Sequence, residues 1–324
     1  MHTRPLGRTD LLITPIGFGA WAVGGGDYAF GWGRQDDQES LDAILHAVSR
    51  GINWIDTAPV YGLGHSEEVV GRALKCLDPS RRPYVFTKCS LTWKEGSREV
   101  VHTLDPASIR REAEDSLRRL GVDAIDLYQI HWPVFPSGTS SGRVEEAWSA
   151  LADLKAAGKV RHIGVSNFKV PELERAAAIA PVESLQPRYS LLHRAIEHDV
   201  LPFCGANGIG VIVYSPMAAG LLSGKMTRER VAAFPADDWR RNNADYQEPQ
   251  LSRNLALVET LRAIGGRHGR QPGEVAIGWT LRHPAVNGAI VGFRRPIQVD
   301  DMIGAADLRL TDEEAAEIEA AVRA

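Results

Sequence analysis

Short apolar runs alternate with longer segments whose apolar residues recur at helical spacing, and the alternation persists almost to the end of the chain. The runs are PIGFGAW, INWID, YVFTK, IDLYQIH, HIGVS, ESLQ, GVIVYS and GAIVG, which predict eight strands. Helices are predicted over Asp37–Ser49, Ser66–Leu74, Pro106–Leu120, Val144–Ala157, Pro171–Ile179, His198–Asn207 and Leu251–His268. Their ends carry local signals. Pro106 follows Asp105 at a first turn, where a missing N–H costs nothing. Gly121, Gly158 and Gly208 stand where a left-handed residue closes a helix. The strands are continuously apolar rather than alternating, as parallel strands buried on both faces must be. An open doubly wound sheet satisfies this pattern, but eight strands with crossover helices favour a closed (β/α)₈ barrel. The first residues predict a hairpin turning at Gly7–Asp10.

Two segments break the alternation. Gly24–Asp36 is rich in glycine and aromatics; Met226–Gln250 is long, polar and interrupted by prolines. Each follows a strand end, so both belong at the barrel mouth, and the second is expected to be a mobile loop, a lid or a disordered stretch. No domain linker interrupts the 324 residues, which suit one barrel domain over 1–324. Composition is that of an ordinary globular protein, 44% hydrophobic and 24% charged. A net charge of −4 argues against a nucleic-acid or anionic-membrane partner. No apolar run approaches the roughly 18 residues of a membrane span. The N-terminus lacks the apolar core of a signal peptide. Cys76, Cys89 and Cys204 are few, odd in number and without metal-ligand spacing, which fits a cytoplasmic enzyme.

Four polar residues stand at or just beyond the ends of three successive strands: Asp56, Tyr61, Lys88 and His131. Strand ends converge at the mouth of such a barrel, where active sites are built. A phenol titrates near about 10 and is a poor donor at neutral pH. A lysine beside it is expected to lower that value, and a carboxylate to keep the lysine charged. With His131 donating to the same oxygen, Tyr61 would protonate the alkoxide formed when a carbonyl accepts hydride. Lys88 also admits a different chemistry, Schiff-base formation in a barrel aldolase.

A hydride source is needed, and no G-x-G-x-x-G follows a strand. The later strand ends supply another site. Ser166, Asn167 and Gln186 can hold a carboxamide, and Tyr214 presents a face for a nicotinamide. The stretch SPMAAGLLSGK offers backbone N–H groups and Lys225 to a pyrophosphate. Arg294 and Arg295 are placed to grip a 2′-phosphate.

With these residues in view, the chain resembles the aldo-keto reductase superfamily over essentially its whole length. The patterns that carry the resemblance are GINWIDTAPVYGLGHSEEVVGRAL, IDLYQIHWP, VRHIGVSNF and VYSPMAAGLLSGK. FGWG and LLSGK resemble the bacterial branch of general-stress and inositol-locus reductases, and potassium-channel β subunits. The resemblance implies that Asp56, Tyr61, Lys88 and His131 form a catalytic tetrad. It further implies a dinucleotide lying across the mouth. Ala20, Trp21, Asp56, Ser166, Asn167, Gln186 and Tyr214 would meet it at the nicotinamide end. Ser215, Met217, Gly220, Leu222, Gly224 and Lys225 would meet it along the clasp, and Gly292, Arg294, Gln298 and Asp301 at the adenine end. The arginine implies NADP(H), with NADH as the second choice. Met302 and Phe293 depart from the family pattern at that end, where asparagine and a smaller residue are usual.

The expected activity is reversible NADPH-dependent reduction of an aldehyde or ketone, in a pocket walled by Trp21, Trp32, Trp93 and Trp132. Tyr28 and Phe30 are further candidates for that wall. A small carbonyl or alcohol is the expected partner, with no metal, no nucleic acid and no membrane, in a monomer or homo-oligomer. The competing class is a cofactor-sensing regulatory subunit on the same barrel, as channel β subunits are.

Overall fold

A computed structural model describes residues 1–26, 28, 31–135, 140–235 and 238–323. The chain opens with an antiparallel hairpin, β1 (Arg4–Pro5) and β2 (Leu12–Ile13). Strands β3 (Ile16–Gly19), β4 (Trp54–Asp56) and β5 (Tyr84–Cys89) follow in the barrel. The chain then leaves it through β6 (Leu91–Thr92) and β7 (Val101–Thr103). It returns as β8 (Ile125–Ile130), and β9 (Ser140–Ser141) joins β6 and β7 in a small outer sheet. The barrel is completed by β10 (Val160–Ser166), β11 (Ser184–Gln186), β12 (Gly210–Tyr214) and β13 (Val286–Gly292). Eight parallel strands close with β13 beside β3, so the expected barrel is confirmed over the open sheet. Each of the eight apolar runs lies in one barrel strand.

The barrel interior is filled from below by the hairpin. Leu6, Leu11 and Ile13 pack with Trp54, Phe86, Leu127, Ile212 and Ile290. Trp54 lies across the floor, its indole N–H donating to Thr14 O at 2.9 Å. Only glycine fits opposite: a Cβ on Gly17 would stand 2.2 Å from the Trp54 ring. Polar mouth and apolar plug are therefore opposite ends of one packed tube.

An ion cluster ties the hairpin to the barrel floor. His162 of β10 contacts Glu183 at 2.8 Å through Nδ1 and Asp10 of the hairpin at 2.6 Å through Nε2. Burial opposes the imidazolium, but the two carboxylates outweigh it and hold the His162 pKa above its ordinary value. A raised folded-state pKa stabilises the fold fully below the unfolded value of about 6.5 and is lost as pH rises through the folded value. Relative to His162→Gln, the wild-type protein should gain thermal stability as pH falls from the alkaline side through neutrality. Parallel melting curves against pH would contradict this assignment.

All seven predicted helices form, with ends shifted by one or two residues. A further helix, Pro272–Arg282, escaped the pattern because Pro272 to Thr280 are all buried, leaving no polar face to give it a period. Met226–Gln250 carries short elements that the pattern did not predict. It contains a helix, Arg228–Ala232, and 3₁₀ turns at Trp239–Asn242 and Ala244–Tyr246. Phe234 and Tyr246 are buried in it, and Tyr246 donates its hydroxyl to Ala219 O at 2.9 Å. Through these residues the segment packs against the loop that follows β12. Among the described residues, no helix is long and apolar enough to cross a membrane, and no cluster of acidic, His and Cys side chains could hold a metal.

Candidate active site

At the C-terminal ends of the barrel strands lies a cavity of about 510 Å³. Asp56 ends β4 and Lys88 lies one residue before the end of the neighbouring β5, so the strand pairing brings them together. The Lys88 ammonium donates to Asp56 Oδ1 at 2.7 Å, to Thr57 O at 2.9 Å and to the Tyr61 hydroxyl at 3.4 Å. Asp56 Oδ2 accepts from the Gln186 amide at 2.7 Å, so both carboxylate oxygens are held. Tyr61 reaches the cavity through a tight turn in which Gly62, Leu63 and Gly64 are all left-handed. A Cβ at Gly62 would meet Gly24 O at 2.3 Å, which explains glycine in both loops. The Tyr61 ring faces Trp21, with centroids 6.1 Å apart, and meets His131 edge-on at 6.0 Å. The four expected residues thus form one constellation.

Its electrostatics differ from expectation in one respect. Burial, reinforced by the Asp56 carboxylate, holds the Tyr61 phenol well above its ordinary range instead of lowering it. Burial also lowers the Lys88 ammonium, against the opposing pull of Asp56. Burial, with Lys88 nearby, keeps the His131 imidazole well below its usual value and therefore neutral. The phenol is thus held in its protonated form, with the Lys88 ammonium 3.4 Å from its oxygen. Lys88 is fully buried beneath the cavity and does not line it, so a substrate carbonyl has no path to form a Schiff base there.

On the opposite side of the mouth, Ser166, Asn167, Gln186 and Tyr214 line the same cavity. Ser166 donates to Gln186 O at 2.8 Å, and the left-handed Asn167 donates to His131 O at 3.0 Å. The Tyr214 hydroxyl donates to Asn167 Oδ1 at 2.8 Å, which fixes the aromatic face over the cavity. Asn167 is thereby spent on protein partners. Gln186 uses its amide N–H on Asp56, and its carbonyl is the group suited to an amide ligand. The fit to a nicotinamide is good: an aromatic face beside amide-pairing side chains, next to the protonated Tyr61.

Ser215, Met217, Gly220 and Lys225 continue along the cavity. The N–H groups of Ala218, Gly220, Leu221, Leu222 and Ser223 are bonded within this loop's own turns, so it offers fewer backbone donors than expected. A Cβ at Gly220 would meet nothing within 4 Å, leaving the backbone open to close approach. Lys225 pairs with Asp301 across the cleft. Gly292, Arg294, Gln298 and Asp301 line the far end together with Phe293 and Met302.

Several expected residues lie elsewhere. Ala20 is fully buried and acts from behind, its N–H donating to Asp56 O at 2.8 Å. Leu222 belongs to the core, and Gly224 packs toward Pro272, so neither lines the cavity. Trp21, Trp32 and Trp132 form the wall, but Trp93, just past β6 in the outer sheet, does not. Tyr28 is also off the wall, and Phe30 lies outside the described residues. Leu91, Phe135 and Arg240 stand there unforeseen. Trp239 was missed as well: it stacks on Trp21 at 6.1 Å and meets Trp32 edge-on at 5.7 Å, bracing both from the covering segment. The aromatic and basic content of DDWRRNN was the available signal.

Fold and site define a parallel barrel whose mouth holds a buried Asp–Lys pair beside a tyrosine and a histidine, in a cavity lined by Ser166, Asn167, Gln186 and Tyr214. Residues 15–323 match the model of the aldo/keto reductase family. The chain is 37% identical to Aldo-keto reductase YhdN of Bacillus subtilis, covering 93% of this chain and 87% of that protein. It is 36% identical to the NADH-specific methylglyoxal reductase of Escherichia coli, covering 97% and 96%. Among solved structures, the glycerol dehydrogenase of Gluconobacter oxydans superposes with a TM-score of 0.86 at 38% identity, covering 99% and 94%. The chain belongs to the aldo/keto reductase family of oxidoreductases, whose members use nicotinamide cofactors.

Proposed function

We propose that this protein is a cytoplasmic, single-domain enzyme that reversibly reduces an aldehyde or ketone with NADPH or NADH. The carrying observation is the Tyr61 hydroxyl, 3.4 Å from a lysine that is itself 2.7 Å from Asp56, opening onto the cavity that Gln186 and Tyr214 share. A bound nicotinamide would rest on Tyr214, with its amide toward the Gln186 carbonyl, and would supply the hydride. The chain supplies the rest. Tyr61 gives its proton to the carbonyl oxygen, Lys88 stabilises the phenolate that remains, and Asp56 holds Lys88 charged and in place. Neutral His131 donates a hydrogen bond to the same oxygen. In the alcohol-oxidising direction the phenolate takes the proton back.

Trp21, Trp32, Trp132 and Phe135 make the substrate end predominantly apolar, which favours carbonyls with a hydrophobic or planar flank. The likeness to a methylglyoxal reductase and a glycerol dehydrogenase supports small carbonyls and polyols as well. The test is a turnover screen over small aldehydes, aromatic aldehydes, sugars and ketosteroids with each dinucleotide. Multiple turnover with at least one class is expected. Tight dinucleotide binding with no turnover on any carbonyl or alcohol would overturn the assignment.

A further inference from the structure

The two arginines after β13 are already occupied, and their partners come from the segment preceding and opening the helix Asp37–Ser49. Arg294 donates through Nε to Gln35 Oε1 at 2.5 Å and through Nη2 to Arg34 O. Gln35 returns the bond, its amide N–H donating to Arg294 O at 3.0 Å. Arg295 pairs with Glu39 at 3.2 Å. The Nε and Nη2 edge of a guanidinium is one that can grip a phosphate with two parallel bonds. In Arg294 that edge is turned to two neutral carbonyl oxygens.

This arrangement bears on cofactor choice. Arg294 is half-buried and lines the adenine end of the cavity. A partly desolvated guanidinium without acceptors is costly, so a site built solely around a 2′-phosphate penalises a ligand that lacks one. Gln35 and the Arg34 carbonyl remove the penalty by satisfying Arg294 from the protein side. Glu39 adds negative charge close by and neutralises Arg295. A 2′-phosphate must therefore displace Gln35 before it gains Arg294.

We propose that Gln35 determines cofactor selectivity, holding the phosphate-gripping edge of Arg294 so that the site accepts NADH alongside NADPH. This rests on the reading that a dinucleotide lies across the mouth with its adenosine end at Arg294. Gln35 acts through Arg294 and takes no part in the chemistry.

The test is equilibrium binding, by calorimetry, of NADPH, NADH, 2′,5′-ADP and 5′-AMP. The proteins are wild type, Gln35→Ala, Gln35→Glu, Arg294→Ala and the Gln35→Ala/Arg294→Ala double variant. Freeing one charge-assisted pair should raise the NADPH-to-NADH affinity ratio about tenfold in Gln35→Ala. The ratio for 2′,5′-ADP over 5′-AMP should move in parallel, and the double variant should lose both gains. Gln35→Glu should shift the ratio the other way, because a carboxylate holds Arg294 more firmly and repels the phosphate. Simple damage to the loop does not produce opposite shifts from the two substitutions. If both dinucleotides bind and Gln35→Ala leaves the ratio unchanged or lowers it, the selectivity role is wrong. If neither binds the wild-type protein, the underlying placement of the dinucleotide fails instead.

Discussion

Tyr61→Phe should abolish nearly all carbonyl reduction while leaving dinucleotide affinity at the wild-type level. The substitution removes one oxygen and keeps the ring that faces Trp21 at 6.1 Å and His131 at 6.0 Å, so the cavity wall survives. What goes is the proton. A positioned general acid contributes about 10² to 10⁴ in rate, and the loss should fall on kcat rather than on KM. Burial and Asp56 keep the phenol protonated far above neutrality, and burial keeps His131 neutral. Neither group therefore titrates across the neutral range, and wild-type reduction under chemistry-limited conditions should be level there. Single-turnover kinetics with a fixed aldehyde separate these steps. A Tyr61→Phe variant with wild-type kcat would remove Tyr61 as the donor.

The sequence disclosed this much because the relevant information is local. Each barrel strand is a continuous apolar run, and each tetrad residue stands where such a run ends, so strand placement and site placement were one inference. What stayed hidden depends on distant contacts. Lys88 was legible as a partner of Tyr61, yet the direction of the phenol's shift was not, since it follows from burial that only the closed mouth creates. Trp93 was expected on the wall with Trp132, but it lies past β6, which pairs with β7 in the outer sheet, and only Leu91 of β6 reaches the cavity. The helix Pro272–Arg282 has no polar face to announce it. Gln35 and Arg294 are 259 residues apart, and nothing local to either one indicates the bond.

Those distant contacts divide the mouth into two parts. At the tetrad end Lys88 of β5 is bonded to Asp56 of the adjacent β4 at 2.7 Å, and Asp56 to Gln186 of β11 across the barrel at 2.7 Å. The other end is built from α-helical and loop elements that meet across the cleft, with Lys225 on Asp301 and Gln35 on Arg294. Proton transfer needs fixed geometry, whereas selectivity is a difference between two affinities and is adjusted by what competes for a cation. Changes at Gln35 should therefore alter which dinucleotide binds without altering the pH behaviour of the chemistry.

Lys88→Met tests the tetrad end most severely, because it should damage stability and catalysis by separable routes. Lys88 is fully buried and the Asp56 side chain is 3% exposed, so removing the ammonium leaves a carboxylate in the protein interior with the Gln186 amide as its remaining side-chain donor. Breaking a buried pair from one side costs about 3–5 kcal/mol, which for a chain of this size lowers the melting temperature by roughly 5–7 °C. Asp56→Asn combined with Lys88→Met removes both charges and should recover most of that loss, since a buried pair replaced as a unit is often nearly neutral. Activity should not recover. Tyr61 then lacks the cation that stabilises its phenolate, and kcat should remain at least about 100-fold down in both variants. Melting curves and single-turnover rates on the three proteins decide the matter. Recovery of stability and activity together in the double variant would reduce Lys88 to a structural counter-ion, and a single variant as active as wild type would remove it from the mechanism.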